Sequence, residues 1–367
     1  VTDHAATADD HRWMAQALRL AERGAYTTRP NPMVGCVIVR DGVCVGEGFH
    51  QRAGGPHAEV FALRAAGEQA RGATAYVTLE PCAHYGRTPP CALALIEAGV
   101  ARVVAAMADP FPQVNGGGFA LLREAGIEVV SGVLQAQARA LNRGFLSRVE
   151  RSRPWIRVKL GASLDGRTAL ASGQSKWITG GDARADVQRW RACASAILTG
   201  AGTVLADDPS MTVRLGDDTP FVPPLRVVLD AGLRTLACGN IRRGDASTLY
   251  LHGEEMTPPP LDAAEFVGMP LHHGRFDLQA VVAVLAERGI NEVHTEAGAT
   301  LSGALLQAGL VDELLVYLAP VLLGDSARPL VAGLDIQTLA QRQQLQLLDV
   351  RQLGQDLRLR YAPVTAG

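Results

Sequence analysis

The chain predicts two α/β domains in tandem, and three observations carry that reading. Its 367 residues are too many for one domain of about 150 residues. Strand-like apolar runs alternate with amphipathic helical stretches along its length, the pattern of layered α/β folds. The alternation is interrupted at the polar, proline-terminated stretch 147–154, which sets expected domains of 1–150 and 151–367.

Each element has its own signal. Over 8–23, Trp13, Met14, Ala17, Leu18 and Ala21 recur at helical spacing, and Gly24 is the stop. The apolar runs 33–39 and 43–49 flank Asp41-Gly42, a strong hairpin turn. Residues 57–66 read as a helix, 73–79 as a strand, 90–98 as a helix with proline near its first turn, and 101–106 as a buried strand. A helix over 118–125 and a strand over 127–130 follow. Beyond the boundary, strands are expected at 155–160, 196–198, 225–229, 248–251, 292–295 and 314–318, with helices at 181–192, 277–288 and 301–308. Proline clusters at 220–224 and 258–260 mark surface loops. The apolar stretch 310–324 is either a core strand with its flanks or a subunit interface.

Composition narrows the function. Hydrophobic residues are 47% and charged residues 20%, enough apolar material for two cores. The net charge of −2, with no basic stripe, argues against a nucleic-acid partner and for a small-molecule substrate. No apolar run is long enough for a membrane helix, and 1–10 lacks the basic-then-apolar pattern of a signal peptide, so a cytoplasmic protein is expected. The six cysteines then read as thiols or metal ligands. Cys36, Cys44, Cys193 and Cys238 lie in or beside apolar runs and are expected to be small buried hydrophobes.

The sharpest chemical signal is His57-Ala58-Glu59 followed by Pro81-Cys82 and then Cys91. One imidazole and two thiolates give three of the four zinc ligands and leave a position for water. Zinc brings the pKa of such a water near neutrality. A carboxylate that is not a ligand must then carry the proton, and Glu59 stands two residues beyond His57. This is the signature of zinc deaminases, H-x-E with a later pair of cysteines after proline. Packed, inert side chains are the bland alternative, but they would not supply the whole set in order.

The two cysteines are separated by eight residues, Ala-His-Tyr-Gly-Arg-Thr-Pro-Pro, rather than two. This loop resembles the bifunctional riboflavin biosynthesis deaminase/reductase family (RibD/RibG), whose P-C-x-H-x-G-x-T-P-P-C pattern is matched at Pro81, Cys82, His84, Gly86, Thr88, Pro89, Pro90 and Cys91. Asn31-Pro32-Met33-Val34-Gly35 and Gly46-Glu47-Gly48-Phe49-His50 also match. The resemblance implies a three-layer cytidine-deaminase-like domain followed by a dihydrofolate-reductase-like α/β domain. It implies zinc on His57, Cys82 and Cys91, Glu59 as proton carrier, and a diamino-ribosylaminopyrimidinone 5′-phosphate as substrate. Asn31, His50 and Arg87 are the implied substrate contacts, while His84 either bonds substrate or pins its own loop. Two departures fall downstream. Phe111 stands where the family often has asparagine, and Asn115-Gly116-Gly117-Gly118 replaces an Ala-Gly-basic-Gly type stretch. Those glycines would still let backbone N–H groups approach an anion.

In the second half, Gly200-Ala201-Gly202 is only part of a dinucleotide fingerprint, and by itself reads as a tight turn. Together with the segments 159–167, 175–180 and 197–209, it resembles the reductase domain of the same family. The resemblance implies NADPH cradled by Gly298, Ala299, Thr300, Leu301, Ser302, Gly303 and Ala304 at a helix start, helped by Gly161, Trp177, Thr203 and Asp207. Ser175, Arg191, Met211, Arg214 and Glu296 would face the substrate, with Arg191 and Arg214 on its phosphate. The bland reading of Arg191 is a solvated helix face. Gln188 and Ala297 stand where the family often has histidine and glycine. Lys159 and Glu296 are the candidate proton donors. A homodimer is the expected assembly.

Overall fold

The computed structural model describes residues 6–83, 85, 89–112 and 114–364. It divides into two compact units, Val1–Ser152 and Arg153–Gly367.

The first unit runs α1 (Ala8–Glu22), β1 (Gly35–Arg40), β2 (Val43–Phe49), α2 (Ala58–Ala66), β3 (Thr74–Val77), α3 (Cys91–Ala98), β4 (Arg102–Ala105), α4 (Gly117–Glu124), β5 (Glu128–Ser131), α5 (Gln135–Leu141) and α6 (Arg143–Arg151). Its five strands lie in the order β2-β1-β3-β4-β5. The β1–β2 and β1–β3 pairs are antiparallel and the β3–β4 and β4–β5 pairs parallel. The β1–β2 turn is Asp41-Gly42, both with positive φ (51° and 74°), as a two-residue hairpin with the strands' own twist demands.

Both faces of this sheet are covered, which makes three layers. Val37, Val39, Tyr76 and Val104 pack with Trp13, Met14 and Ala17 of α1 and Phe145 and Leu146 of α6. Cys36, Ile38, Ala75 and Val103 pack on the other face with Ala62 of α2, Leu95 of α3 and Leu122 of α4. Strands buried on both faces read as continuous apolar runs, which is why they were legible. Glycine sets the depth of α2. A Cβ at Gly46 would collide with the Ala62 carbonyl, and one at Gly48 with Phe61, so α2 rests on the backbone of β2.

The polar stretch 147–154, expected to be the domain boundary, is helical as far as Arg151. Its polarity belongs to the outer side of an amphipathic helix whose Phe145, Leu146 and Ser147 are buried. Ser152, at φ 54°, ends it.

At one edge of this unit Asp10 is buried and bonded by both terminal nitrogens of Arg102 (2.7 and 3.1 Å), by Tyr76 Oη (3.0 Å) and by the Thr7 N–H (2.9 Å). Burial pushes the Asp10 carboxyl up, but the Arg102 and Thr7 bonds outweigh it and hold it well below the usual carboxylate range. A depressed pKa stabilises the fold above the unfolded value of about 3.9 and is lost as pH falls toward the folded value. Asp10→Asn is therefore expected to cost roughly 3 kcal/mol at neutral pH, breaking a buried pair. The gap from wild type should narrow as denaturant melts are repeated below about pH 4.

The second unit runs β6 (Trp155–Ser163), β7 (Arg167–Ala169), α7 (Gly181–Cys193), β8 (Ala196–Gly200), α8 (Ala201–Asp207), β9 (Leu225–Leu229), β10 (Thr248–Gly253), β11 (Ala264–Met269), β12 (Leu271–His272), β13 (Arg275–Phe276), α9 (Leu278–Glu287), β14 (Glu292–Glu296), α10 (Ala299–Gln307), β15 (Glu313–Ala319), β16 (Arg328–Pro329), β17 (Leu345–Leu353) and β18 (Asp356–Pro363). Nine strands form one sheet, β11-β10-β9-β8-β14-β6-β15-β18-β17, and β12/β13 and β7/β16 are small pairs. The sheet is parallel from β11 to β15 and antiparallel through β18 and β17.

Ile156, Val158, Leu198 and Val293 on one face pack with Val281, Val282 and Leu285 of α9 and Leu305 and Leu306 of α10. The stretch 310–324 resolves into a core strand: Leu314 to Tyr317 of β15 are buried, while Leu322 beyond it is exposed. Beneath α7 the other face is charged as well as apolar. Arg157, fully buried, lies 4.3 Å from the Trp190 ring centre and bonds Glu313 and Glu292. Arg358 bonds Asp186, which also accepts from Tyr317 and Trp190. Cys36 is buried as expected, but Cys44, Cys193 and Cys238 are only half-buried: Cys44 and Cys193 lie near the ends of β2 and α7, and Cys238 lies in the loop between β9 and β10.

Candidate active sites

In the first unit the ligand set is delivered by two helix starts and one strand end. His57 is the N-cap of α2 and Cys91 the first residue of α3, while Cys82 follows β3. His57 Nδ1 lies 3.3 Å from Cys91 Sγ and 3.6 Å from Cys82 Sγ, and the three ligand atoms fall within 4.8 Å of one another. Tetrahedral Zn–N and Zn–S bonds of about 2.0 and 2.3 Å separate such ligands by about 3.6 Å, so the donor set fits zinc. The thiols are electrostatically unequal. A hydrogen bond from Cys91 draws Cys82 down to about 4 against the opposing effect of burial, and His57 and the Cys91 N–H (3.3 Å) add to it. Cys91 is correspondingly pushed up by Cys82 and by burial. The positive ends of α2 and α3 favour thiolate here.

Glu59, in the first turn of α2, is 3% exposed, and its Oε2 has no hydrogen-bond partner among the described residues. Burial raises its pKa, as a group that must accept and return a proton requires. With its ring centre 5.5 Å from that of His57, His50 is buried and held at both nitrogens: Nδ1 to the Pro56 carbonyl (3.0 Å) and Nε2 to Asn31 Nδ2 (3.1 Å). A carbonyl only accepts, so His50 donates from Nδ1 and accepts at Nε2 from the Asn31 amide. Asn31 Oδ1 is thereby the acceptor left for a ligand. Arg87, with His84, Gly86 and Thr88, lies outside the described residues.

The glycines at 116–118 do not offer their N–H groups to an outside anion, as the sequence suggested. They are already taken: the Gly117 N–H by the Val114 carbonyl (2.7 Å), and the others by the Glu80 carboxylate, whose Oε2 accepts from Gly116 (3.0 Å) and Asp109 (3.1 Å) and Oε1 from Gly118 (2.9 Å) and Phe119 (3.2 Å). No sequence motif pointed to Glu80, because a carboxylate two residues before a ligand is ordinary until the fold brings another loop to it. Phe111 is partly buried against the apolar face that α1 covers.

In the second unit the candidates gather at the carboxyl ends of β6, β8 and β14, where parallel sheets bind ligands. α10 begins at Gly298 without a side-chain cap, and Gly298 N–H donates to Thr203 Oγ1 (3.2 Å), joining the α8 and α10 starts. A Cβ at Gly298 would meet nothing within 4 Å, whereas one at Gly303 would collide with the Ala332 carbonyl. Gly298, Ala299 and Thr300 thus form the open end of the proposed cradle. Leu301 and Ala304 are half-buried, and Ser302 and Gly303 are turned into the protein. Gly161 sits on β6, near the side chains of Lys159 and Thr179. Trp177 is 71% exposed under the Arg184 guanidinium, and Asp207 is 4.0 Å from Lys176 Nζ.

Arg191 is not on a solvated face. It is buried and donates to both oxygens of Glu296 (2.5 and 2.8 Å) and to the Thr212 carbonyl (2.8 Å). Arg191 overcomes the effect of burial and holds the Glu296 carboxyl well below the usual range. Burial lowers the pKa of Lys159, with Glu296 opposing. His294, fully buried and missed in the sequence, has its Nε2 3.4 Å from Glu296 Oε1, without an aligned hydrogen bond on either ring nitrogen among the described residues. Met211 is buried at φ 46°. Arg214 is exposed; it bonds Ser210 Oγ (3.0 Å), and its N–H donates to Gln188 (2.9 Å). Ser175 is half-buried.

Comparison with known proteins agrees with both halves. Residues 154–359 match the RibD C-terminal domain, and 7–107 match the cytidine and deoxycytidylate deaminase zinc-binding region. The riboflavin biosynthesis protein RibD of Escherichia coli is 52% identical over 358 residues, covering 95% of this chain and 98% of that protein. A structure of Acinetobacter baumannii RibD superposes with TM-score 0.89 at 47% identity, covering 97% of this chain and 99% of that one. The Thermotoga maritima diaminohydroxyphosphoribosylaminopyrimidine deaminase/5-amino-6-(5-phosphoribosylamino)uracil reductase superposes with TM-score 0.84 at 32% identity, with coverage of 97% and 99%.

Proposed function

The chain belongs to the RibD family of riboflavin biosynthesis proteins and is a bifunctional deaminase and reductase, and from that premise we propose which residues carry each reaction. The substrate is the diaminohydroxyphosphoribosylaminopyrimidine of the Thermotoga enzyme's name, deaminated by the first unit and reduced by the second.

His57, Cys82 and Cys91 hold the zinc, which when bound supplies the Lewis acidity that makes water nucleophilic at neutral pH. The observation that carries the assignment is the orphaned, buried Glu59 oxygen beside this donor set. Glu59 takes a proton from water and returns it to the ring nitrogen and then to the leaving amine, so water and the amine exchange for a carbonyl and ammonia. Asn31 Oδ1, oriented by His50, accepts from a ring N–H or amino group. Arg87 answers the phosphate.

In the second unit NADPH, when bound, supplies the hydride. The α8 and α10 starts would hold its phosphates, and Gly161 and Trp177 would line the same site. Reduction at the sugar carbon of the opened ribosylamine would also consume one proton. Glu296 is kept ionised by Arg191 and serves as a fixed negative charge toward the cationic carbon. Lys159, whose burial lowers its pKa, is then the better proton donor. Arg214, exposed beside Ser210, reaches the substrate phosphate more freely than the paired Arg191.

No helix among the described residues is long and apolar enough to cross a membrane. Zinc on free Cys82 and Cys91 needs reduced thiols, which suits the cytoplasm. The edge strand β17 exposes Leu345, Leu347, Leu348 and Val350, and a second copy of the chain is the proposed cover for them.

The test supplies the pyrimidine ribosyl phosphate with NADPH and follows ammonia and NADPH together. Ammonia release ahead of NADPH oxidation supports the assignment. NADPH left intact even with the deaminated intermediate would remove the reductase half.

A further inference from the structure

The Glu80 carboxylate is 3% exposed and accepts four backbone N–H bonds from one stretch of chain, 109–119, that joins β4 to α4. That stretch abuts the residues on either side of the zinc ligand Cys82. A Cβ at Gly118 would collide with the Pro81 carbonyl, and one at Gly117 would stand 3.3 Å from the Ala83 Cβ. Asp109 adds a turn of its own, its Oδ1 accepting from the Phe111 N–H (2.9 Å). One side chain therefore clamps both ends of the 109–116 loop to the strand end that carries the metal ligand.

From this we infer that Glu80 is a positioning residue for deamination. It makes the β4–α4 loop a rigid wall of the zinc pocket and fills with an internal charge the anion cradle that the α4 start would otherwise present. The loop emerges at the carboxyl ends of the parallel strands β3 and β4, on the side where the zinc ligands stand, which is where such sheets bind their ligands. Its consequence is selectivity. The substrate phosphate is excluded from Gly116 and Gly118 and must find a cation elsewhere, and the wall orients the pyrimidine ring.

This inference rests on the deaminase assignment, and the experiment separates the two. Glu80→Gln keeps the shape but puts an NH2 group where two N–H donors point, so half of the clamp is lost. Steady-state deamination of the pyrimidine ribosyl phosphate, zinc content, and reduction of the deaminated intermediate would be measured for both proteins. The expected result is a fall in kcat/KM of about 100-fold, mostly in KM, with zinc and reduction retained. An unchanged KM in a zinc-loaded variant would overturn the inference, whereas absence of deamination in wild type would overturn the assignment beneath it. Should the variant not fold, amide hydrogen exchange on wild type decides. Protection of residues 109, 116, 118 and 119 equal to that of β3, unaffected by added inorganic phosphate, is expected. Rapid exchange there, or protection gained only with phosphate, would show that Glu80 does not hold the loop.

Discussion

Glu59→Gln is expected to keep its zinc and lose deamination by about 1,000-fold, the usual reach of a general acid–base group used in both directions. The amide fills the same space on α2 but cannot take a proton from water. Because Glu59 is buried with one oxygen unpartnered, the change relieves a desolvated carboxylate. Stability should hold or rise slightly, against the trend of core substitutions. Metal analysis, ammonia release and a thermal melt on one preparation check the three statements together. Reduction of the deaminated intermediate should continue in the variant. Normal ammonia release from a zinc-loaded variant would show that another group carries the proton.

Glu296→Gln should be the most damaging change in the second unit. Arg191 is buried and both its Nε and a terminal nitrogen bond this carboxylate, so its charge would be left uncompensated. Breaking one side of a buried pair costs about 3–5 kcal/mol, which for a unit of this size lowers Tm by roughly 10 °C. Reduction should fall about 100-fold or more if the carboxylate also faces the developing cation. The double variant Arg191→Met with Glu296→Leu separates the two effects. Replacing both charges should restore most of the stability and none of the reduction. Recovery of NADPH oxidation in the double variant would make the pair purely structural.

The parts of the fold that could be read along the chain are those whose burial follows local periodicity. α1, β1, β2, β3 and β4 are apolar on the spacing their geometry demands, and Asp41-Gly42 can close only one kind of turn. The β17–β18 hairpin was not expected. Every residue of β17 is exposed or half-buried, so its leucines and valines carry no alternation between a wet and a dry face. α5 was missed and the end of α6 was read as part of the domain boundary, because the outer sides of both are polar.

The candidate sites divide the same way. His57, Glu59, Cys82 and Cys91 were legible because zinc deaminase chemistry demands those side chains in that order along the chain, whatever the surrounding packing. Composition, spacing and the eight-residue loop thus established two α/β halves, a metal and a reaction type. Which carboxylates are free and which are spent was decided only in three dimensions. Among the described residues Glu59 keeps an unpartnered oxygen, Glu80 is consumed by four amides from a loop some thirty residues on, and Glu296 at the end of β14 is neutralised by Arg191 of α7. In sequence these three are alike. A charge takes its role from desolvation and from partners brought to it by the chain's long-range contacts, and neither is a property of the residues beside it.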